Sequence, residues 1–323
     1  MRRASPDPPQ VTVFGPDPLL SVTIEHRGAA DDVHIHAAGQ GVWVSAMAAQ
    51  LGARPVLCCL IGGETGHTLS GVLERLPGEH RAVSCAGPNG CYVIDRRQGE
   101  RRVLALSQRP APQRHEVDDL VAATCAAALT SAVVVVCNAF PGDGLPDEVY
   151  ETVVGNARSA GVPVIVDLSS PRLDRALRAG PDVVKLNDWE LAEYVSGPVD
   201  GLRALDAMRA LRRAGATTVV LTRAEAPVLV LDGDRDPYEV VPPRLTHGYR
   251  EGCGDAMTGA VAAGLARGLA LRDALVLGVA AGAGNFLRHG LGTGRAQTVQ
   301  ELARSVRVRP ARAAVTRSPE TVS

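Results

Sequence analysis

Residues 133–222 contain four short apolar segments that decide the fold: VVVVC at 133–137, VIVDL at 164–168, DVVKL at 182–186 and TVVLT at 218–222. Amphipathic patterns typical of helices lie between them. Unbroken apolar runs of this length are typical of strands that are buried on both faces. Such strands in alternation with helices predict an α/β fold, with a doubly wound, mainly parallel sheet and helices on both faces.

The amino-terminal third adds strand patterns of another kind, at 20–24, 33–37, 91–96 and 101–106. These segments alternate apolar and polar residues, or flank a turn with Gly99 at its bend. We expect the pieces at about 18–37 and 82–106 to form a small β-sheet lid over the carboxyl ends of the main strands. The whole reads as one domain at 11–308, with flexible termini at 1–10 and 309–323.

Composition excludes several classes of protein. The 323 residues include 34 basic and 35 acidic side chains, a formal net charge of −1, which gives no general attraction to nucleic acid or anionic lipid. Apolar stretches fall short of the roughly 18 residues that a membrane span needs, and the first ten residues lack the apolar segment of an export signal. Seven cysteines without a CxxC pair indicate a reducing compartment. We expect a cytoplasmic protein that binds neither nucleic acid nor membrane.

The strongest chemical motif is GCGDAMTG at 252–259, which opens an apolar helix. Glycines before a helix let backbone N–H groups converge on an anion, and the helix dipole favours negative charge there. Asp255 in the first turn is placed to take a proton from an attacking hydroxyl. The alternative is a plain capping aspartate.

A second motif, KLNDWEL at 185–191, ends a strand and begins a helix. Asn187 could bond phosphate oxygens, and Glu190 could hold a water of Mg²⁺, an ion that usually keeps several waters. The alternative is a solvated helix start with an acidic first turn. Lys185 is the only lysine in the chain. Together the two motifs indicate phosphoryl transfer.

The chain resembles the PfkB/ribokinase family of carbohydrate kinases, nearest the phosphofructokinase and tagatose-6-phosphate kinase branch. The resemblance extends from about residue 11 to 308. The segments that carry it are AAGQGVWVSAMAAQLGA, LIGGETG, NAFPGDGLPDEVY, VIVDLSSPRL, KLNDWEL, GCGDAMTGAVAAGLARG and AAGAGNFLRHGLGTG.

The resemblance implies an ATP- and Mg²⁺-dependent kinase that phosphorylates a hydroxyl of a sugar-like small molecule and forms a homodimer through its lids. It implies that Asp255 is the base and that the amides of Gly252, Cys253 and Gly254 form the anion hole. The residues that it places near the nucleotide are Lys185, Asn187, Glu190 (holding Mg²⁺ through water), Thr222, Ala224 and Asn285. Those that it places near the acceptor are Ser21, Gly39, Gln40, Gly41, Trp43 and Asn89.

The departures from the family pattern lie at the acceptor end. Ser21 replaces the sugar-binding aspartate, Gln40 a lysine, Trp43 an asparagine, and Asn89 the phosphate-reading arginine. Loss of a lysine and an arginine removes the charge that holds a phosphorylated acceptor. These changes predict an uncharged acceptor rather than a fructose phosphate.

A further departure affects the nucleotide loop, where TRAEAP at 222–227 replaces a Ser-x-Gly-x-x-Gly pattern and fixes a proline. Two alternatives to a sugar kinase therefore stay open. One is a binding or regulatory protein of this fold without turnover. The other is a kinase whose acceptor is a nucleoside stacked on Trp43.

Overall fold

The computed structural model describes residues 7–139, 142, 144–288 and 294–311. The first half of the chain contains β1 (Gln10–Phe14), β2 (Leu19–Arg27), β3 (Ala30–Ala38), α1 (Gln40–Gln50), β4 (Arg54–Gly62), α2 (Gly63–Leu73), β5 (Glu79–Cys85), β6 (Cys91–Asp95), β7 (Arg102–Ser107), α3 (Arg114–Ala128) and β8 (Val133–Cys137). The second half contains α4 (Glu148–Ser159), β9 (Val164–Asp167), α5 (Arg172–Arg178), β10 (Val183–Asn187), α6 (Asp188–Tyr194), α7 (Gly201–Ala214), β11 (Thr218–Arg223), β12 (Ala226–Asp232), β13 (Tyr238–Val241), α8 (Cys253–Ala266), α9 (Leu271–Phe286), α10 (Ala296–Ala303) and β14 (Arg307–Pro310).

The main sheet has ten strands in the order β14-β13-β12-β11-β10-β9-β8-β1-β4-β5. Pairing is parallel from β11 through to β5, as the apolar strand runs predict. One core packs α1, α8 and α9 against one face, and a second core packs α3, α4, α5 and α7 against the other. The predicted doubly wound sheet is therefore confirmed, and its parallel strands all end at one edge.

A separate four-stranded sheet, in the order β3-β2-β6-β7, forms the lid. The predicted lid range of 82–106 is wrong at its start. Residues 82–85 belong to β5, which pairs in parallel with β4 along the edge of the main sheet. The sequence of β5 alternates apolar and polar residues, which is also typical of a lid strand, because an edge strand and a lid strand are both exposed to solvent.

Three antiparallel strands, β12, β13 and β14, extend the main sheet beyond β11. The predicted flexible termini are therefore too long. Gln10 begins β1, while Arg309 and Pro310 pair with β13. Backbone pairing orders these residues although their sequence is rich in arginine and proline. Residues 1–6 and 312–323 lie outside the described part of the chain. Across the described ranges, no helix is both long and apolar enough to cross a membrane.

Candidate active site

The carboxyl ends of β8, β9 and β10 meet the amino-terminal ends of α1 and α8 at one edge of the sheet. This convergence follows from the parallel topology, which places every strand end and every following loop on the same side. The side chains brought together there are Gln40, Asn138, Asp167, Lys185, Asn187, Glu190, Asp255 and Thr258.

Lys185 anchors the cluster from β10. Its Nζ lies 2.9 Å from one carboxylate oxygen of Asp167 and 3.1 Å from the other, and both side chains are buried. The hydroxyl of Thr258 donates to the same carboxylate at 2.7 Å. Burial lowers the lysine pKa, but the carboxylates of Asp167, Glu190 and Asp255 outweigh it and raise the pKa above its usual value. Lys185 is therefore charged, and it lies under the start of α8.

The amino terminus of α8 begins at Gly252, whose φ of 72° lies in the left-handed region that suits glycine. No side chain caps this helix end. The amide of Cys253 donates to the carbonyl of Arg250 at 3.3 Å, so it is engaged in a turn. Helix geometry leaves the amides of Gly252, Gly254 and Asp255 without an intrahelical acceptor. Of the three amides predicted to form the anion hole, that of Cys253 is therefore engaged within the chain, and those of Gly252 and Gly254 stay candidates.

Asp255 lies in this first turn and is partly exposed. Its pKa is raised to about 7, first by desolvation and then by the negative charges of Asp167 and Glu190. Lys185 and a hydrogen bond from Gln40 oppose that shift. A carboxylate that titrates near neutral pH is suited to general base chemistry.

Gln40 is held in a fixed orientation at the start of α1. Its Oε1 accepts a 2.6 Å hydrogen bond from the backbone N–H of Asn138, which leaves its amide N–H groups to face Asp255. The Asn138 side chain in turn donates to Ser169 at 2.7 Å and accepts from Arg172 at 3.0 Å. Gln40, which was predicted to lie near the acceptor, therefore contacts the candidate base Asp255.

Asn187 and Glu190 form a reciprocal capping box at the start of α6. The Asn187 side chain accepts from the Glu190 amide at 2.8 Å, and Glu190 Oε2 accepts from the Asn187 amide at 2.7 Å. Burial, followed by the charge of Asp167, raises the pKa of Glu190. The capping alternative is thus confirmed. The same hydrogen bonds also hold the Glu190 carboxylate beside Asp167 and Lys185.

The fit of this cluster to Mg²⁺ depends on its charge. Asp167, Glu190 and Asp255 place three carboxylates around the single cation of Lys185, and the pKa values of Glu190 and Asp255 are raised in consequence. Within the described ranges, no group of three His, Cys, Asp or Glu side chains forms a closed metal cage. Mg²⁺ commonly uses one or two carboxylates together with waters and phosphates, so the residues present fit that ion.

Ser21 and Trp43 line a cavity of about 460 Å³ between the lid and α1. Ser21 is buried on β2 opposite His36, and Trp43 packs against the lid residues Tyr92 and Ile94. Both predicted acceptor residues therefore face the same space.

Gly39 and Gly41 shape the backbone beside this cavity. A Cβ on Gly41 would lie 2.6 Å from the Cα of Gly15, so glycine allows α1 to approach the loop after β1. Gly39 has φ of 108°, in the left-handed region. The structure gives both residues this steric role.

Asn89 and Asn285 are buried and bond the backbone of the protein itself. The Asn89 side chain is buried and bonds the backbones of Gly62, Pro18 and Leu60, which holds two loops together. The Asn285 side chain is fully buried and donates to the carbonyl of Glu251 at 2.8 Å. Both side chains thus bond the backbone of neighbouring loops, and their predicted contacts with the acceptor and the nucleotide stay predictions.

The segment predicted as the nucleotide loop is a tight hairpin turn between β11 and β12. Arg223 pairs with Ala226, and Ala224 takes a positive φ of 48°. Thr222 donates to the carbonyl of Leu186 at 3.3 Å, beside Asn187. Glu225 at the tip forms an ion pair with Arg250, which couples the turn to the loop before α8.

Sequence reasoning missed Asp167 as a site residue. The signal was present, because the carboxylate ends the apolar run VIVD at the same strand edge as Asn187. Thr258 carried no signal, since a threonine in an apolar helix is common without a catalytic role.

Gly254 permits a close approach that a side chain would prevent. A Cβ there would lie 2.9 Å from the Nζ of Lys185, which Asp167 holds in place. We expect Gly254→Ala to lower kcat by about 10²-fold. The added methyl group would displace the Lys185 amine or the start of α8, and a displacement of about 1 Å in an active site has an effect of that size. Steady-state kinetics check this. Gly71→Ala is the matched control, since its Cβ meets nothing within 4 Å and it should keep full activity.

A mainly parallel sheet with a separate lid sheet, and a buried cluster of carboxylates and a lysine at the strand ends beneath the start of α8, agree with a phosphotransferase of the ribokinase-like fold. The family model for pfkB family carbohydrate kinases matches residues 21–298. The chain belongs to this family and is an ATP-dependent sugar kinase.

Relatives agree with that assignment. The chain is 28% identical to 1-phosphofructokinase of Rhodobacter capsulatus over 288 residues, 85% of this chain and 87% of that protein. Its structure is similar to phosphofructokinase-2 of Escherichia coli, with a TM-score of 0.81, 22% identity, and coverage of 92% and 99% of the two chains. It is also similar to a possible 1-phosphofructokinase of Thermotoga maritima, with a TM-score of 0.82, 16% identity, and coverage of 94% and 100%. The two structural likenesses support the fold.

Proposed function

We propose that this kinase transfers the γ-phosphoryl group of Mg·ATP to a hydroxyl of an unphosphorylated sugar, with Asp255 as the general base. The observation that carries the proposal is the position of Asp255. This carboxylate, with a pKa of about 7, lies in the helix turn whose amides have no intrahelical acceptor, above the charged Lys185.

The reaction follows from these positions. The Asp255 carboxylate accepts the proton of the acceptor hydroxyl while the oxygen of that hydroxyl forms a bond to the γ-phosphorus. The bond from that phosphorus to the bridging oxygen breaks, and ADP leaves with the electron pair. The amides of Gly252 and Gly254, with Lys185, stabilise the negative charge on the transferring group. Gln40 holds the base in orientation.

Glu190 and Asp167 are the residues that would hold Mg²⁺, Glu190 through water. The ion would supply charge neutralisation for the phosphate oxygens, as it does in phosphoryl transfer generally.

The charge of the cavity supports an unphosphorylated acceptor. Among the described residues, its charged lining is Arg96, Glu25 and Glu251. Arg96 pairs with Glu251 at 3.1 Å, and Arg101 pairs with the same carboxylate at 3.0 Å. A phosphate group would meet no surplus of positive charge, because Glu25 and Glu251 balance Arg96 and Arg101, and both arginines are paired with Glu251.

The test is ADP release with Mg·ATP across free sugars, the corresponding sugar phosphates and nucleosides, with Asp255→Asn as the blank. We expect turnover that depends on Asp255 and prefers free sugars. Turnover confined to sugar phosphates would overturn the acceptor class. A folded protein silent on the whole panel would count against catalysis.

The pH dependence of kcat/KM follows from the raised pKa of Asp255. Protonation removes the base, so log(kcat/KM) should fall with a slope of one below about pH 7 and level off above it. Initial rates between pH 5.5 and 8.5 check this. A profile that stays flat down to pH 5.5 would show an unperturbed carboxylate and contradict the assignment.

We also propose that the chain forms a homodimer through the outer face of its lid. That face carries Val22, Ile24, Val33, Ile35 and Val93, which are cross-strand neighbours. Val33 is 57% exposed and Ile35 53% exposed. A contiguous apolar sheet face of this kind is typical of an interface between copies, because a second copy covers it with an identical face.

Ile35→Asp should therefore convert the dimer to a monomer, because it places a charge at the centre of an apolar contact. Sedimentation equilibrium measures the mass. Leu129→Asp, at a side chain 71% exposed at the end of α3, is the control and should remain dimeric. Wild-type protein sedimenting at the mass of one chain would refute the proposal.

A further inference from the structure

Two arginines of the lid share one carboxylate of the loop before α8. Arg96 follows β6 and Arg101 precedes β7, so both lie in the turn of the same hairpin. The Nη2 of Arg96 lies 3.1 Å from one carboxylate oxygen of Glu251, and the Nε of Arg101 lies 3.0 Å from the other. The Arg96 side chain is 11% exposed, so water screens its contact only in part. Glu251 thus binds both guanidinium groups at once.

The position of Glu251 is fixed by contacts of the same loop with α9. Its carbonyl accepts a 2.8 Å hydrogen bond from the Asn285 side chain. Tyr249, two residues earlier, donates its amide to the carbonyl of Phe286 at 2.8 Å. The Tyr249 ring centroid lies 5.7 Å from the guanidinium carbon of Arg96. The loop therefore binds Arg96 through both a carboxylate and an aromatic face.

This contact borders the acceptor cavity. Arg96 and Glu251 both line it, and Glu251 directly precedes the residue that begins α8. Burial raises the pKa of Tyr92, another lining residue, to about 12, and the charges of Glu251 and Asp255 add to that shift. Both carboxylates therefore lie near the same hydroxyl, and the contact of Arg96 with Glu251 is close to the candidate base.

Arg96 has hydrogen-bonding capacity that the protein does not use. Its Nε is buried and has no hydrogen-bond partner within the part of the chain that the structure describes. A guanidinium offers five N–H donors in a planar fork that matches the oxygens of a phosphate group. Glu251 engages one nitrogen of this fork and compensates its charge. A phosphate group therefore competes with a carboxylate that the loop already holds in place.

We propose that Glu251 is a specificity-determining residue, which keeps Arg96 from binding a phosphate group and so restricts the kinase to unphosphorylated acceptors. This inference rests on the proposed function, since it names the residue that sets the acceptor class of the same site. Loss of the Glu251 charge leaves two guanidinium groups uncompensated, and that of Arg96 lines the cavity. A phosphate ester then supplies the anion that Glu251 otherwise provides.

The test measures kcat/KM for three pairs of a free sugar and its ester: fructose and fructose 6-phosphate, glucose and glucose 6-phosphate, ribose and ribose 5-phosphate. For at least one pair, Glu251→Gln should raise the ratio of the ester value to the free-sugar value by about tenfold or more, because the phosphate gains a charge-assisted contact. Addition of Arg96→Met to this variant should return the ratio to near that of the wild type, since the cation that binds the phosphate is then gone.

Glu25→Gln is the matched control. Glu25 lines the same cavity, and no ion pair found among the described residues joins it to an arginine. The substitution removes the same charge but releases no guanidinium, so the ratio should stay within about threefold of the wild-type value. Glu251→Ser also removes the carboxylate and should act as Glu251→Gln does. Failure of both Glu251 variants to fold would show that this residue serves folding, and would overturn the inference.

Binding is measured separately from turnover. The chain has two tryptophans, so Trp189→Phe leaves Trp43, which lines the cavity, as the single indole emitter. The three esters are titrated at constant ionic strength, and at least one should change the Trp43 emission saturably. Its Kd should be about tenfold lower, or more, when Glu251→Gln is added to this background.

The outcomes separate the two proposals. Turnover with the same ester-to-free-sugar ratio in Glu251→Gln and wild type would overturn the inference and leave the kinase standing. Wild-type turnover confined to the esters would overturn the acceptor class and the inference together. Absence of turnover in every variant, with tighter ester binding only in Glu251→Gln, would overturn the kinase and support the exclusion of phosphate by Glu251. Ester affinity that is unchanged by loss of the carboxylate would overturn the inference, whatever the turnover.

Discussion

Asp255→Asn should lower kcat by about 10²–10⁴-fold, the usual effect of removing a general base. Asparagine keeps the shape of the side chain and its hydrogen bond to Gln40, but it cannot accept the acceptor's proton. The folded state should be at least as stable as the wild type, because the substitution removes one of three crowded carboxylates. Single-turnover kinetics measure the chemical step directly.

The matched control is Asp273→Asn. Asp273 also lies in the first turn of an apolar helix, α9, but it is exposed. Its replacement should leave kcat unchanged, and Mg·ATP binding by calorimetry should survive in both variants. An Asp255→Asn enzyme within threefold of the wild-type rate would remove the base from the mechanism.

Lys185→Met should be the most destabilising substitution in the site, by about 3–5 kcal/mol. The side chains of Lys185 and Asp167 are 9% and 2% exposed, so loss of the lysine leaves a buried carboxylate without its counter-ion. The raised pKa of Lys185 shows that the amine is charged in the folded state. Urea denaturation measures the loss of stability.

The double variant Lys185→Met, Asp167→Asn separates stability from catalysis. Removing both charges should restore much of the stability, since an uncompensated buried charge is then absent. Activity should stay low, because the transferring group still lacks the cation. Recovery of activity together with stability would show that Lys185 serves folding alone.

The core of the fold was predictable from sequence because burial on both faces gives parallel strands an unmistakable pattern. VVVVC at Val133–Cys137 is fully buried as the pattern indicates. The edge strand β5 and the strands β12 to β14 were not predicted, since exposed or terminal strands carry a mixed pattern that also fits loops.

The site was predictable where a motif combined unusual residues. The helix start at Gly252 and the single lysine, Lys185, both lie in the cluster. The burial of Asn89 and Asn285 was not predicted, because position in a motif does not say which way a side chain points. Their amides satisfy buried backbone groups, which sequence alone cannot show.

Gln40 illustrates a second limit of sequence reasoning. Its identity indicated the loss of a positive charge from the acceptor site. Only the structure shows that its Oε1 accepts from the backbone of Asn138 while its amide faces Asp255. Gln40, which replaces a lysine of the family pattern, thus forms a hydrogen bond that orients Asp255.

The central claim is phosphoryl transfer to an unphosphorylated sugar, and the most direct measurement follows the label from γ-labelled ATP in a competition between a free sugar and its own phosphate ester. The account predicts label in the free sugar, with kcat/KM at least about tenfold above that for the ester. Label found mainly in the ester would contradict it, and would show that the pairing of Arg96 with Glu251 opens to admit a phosphate.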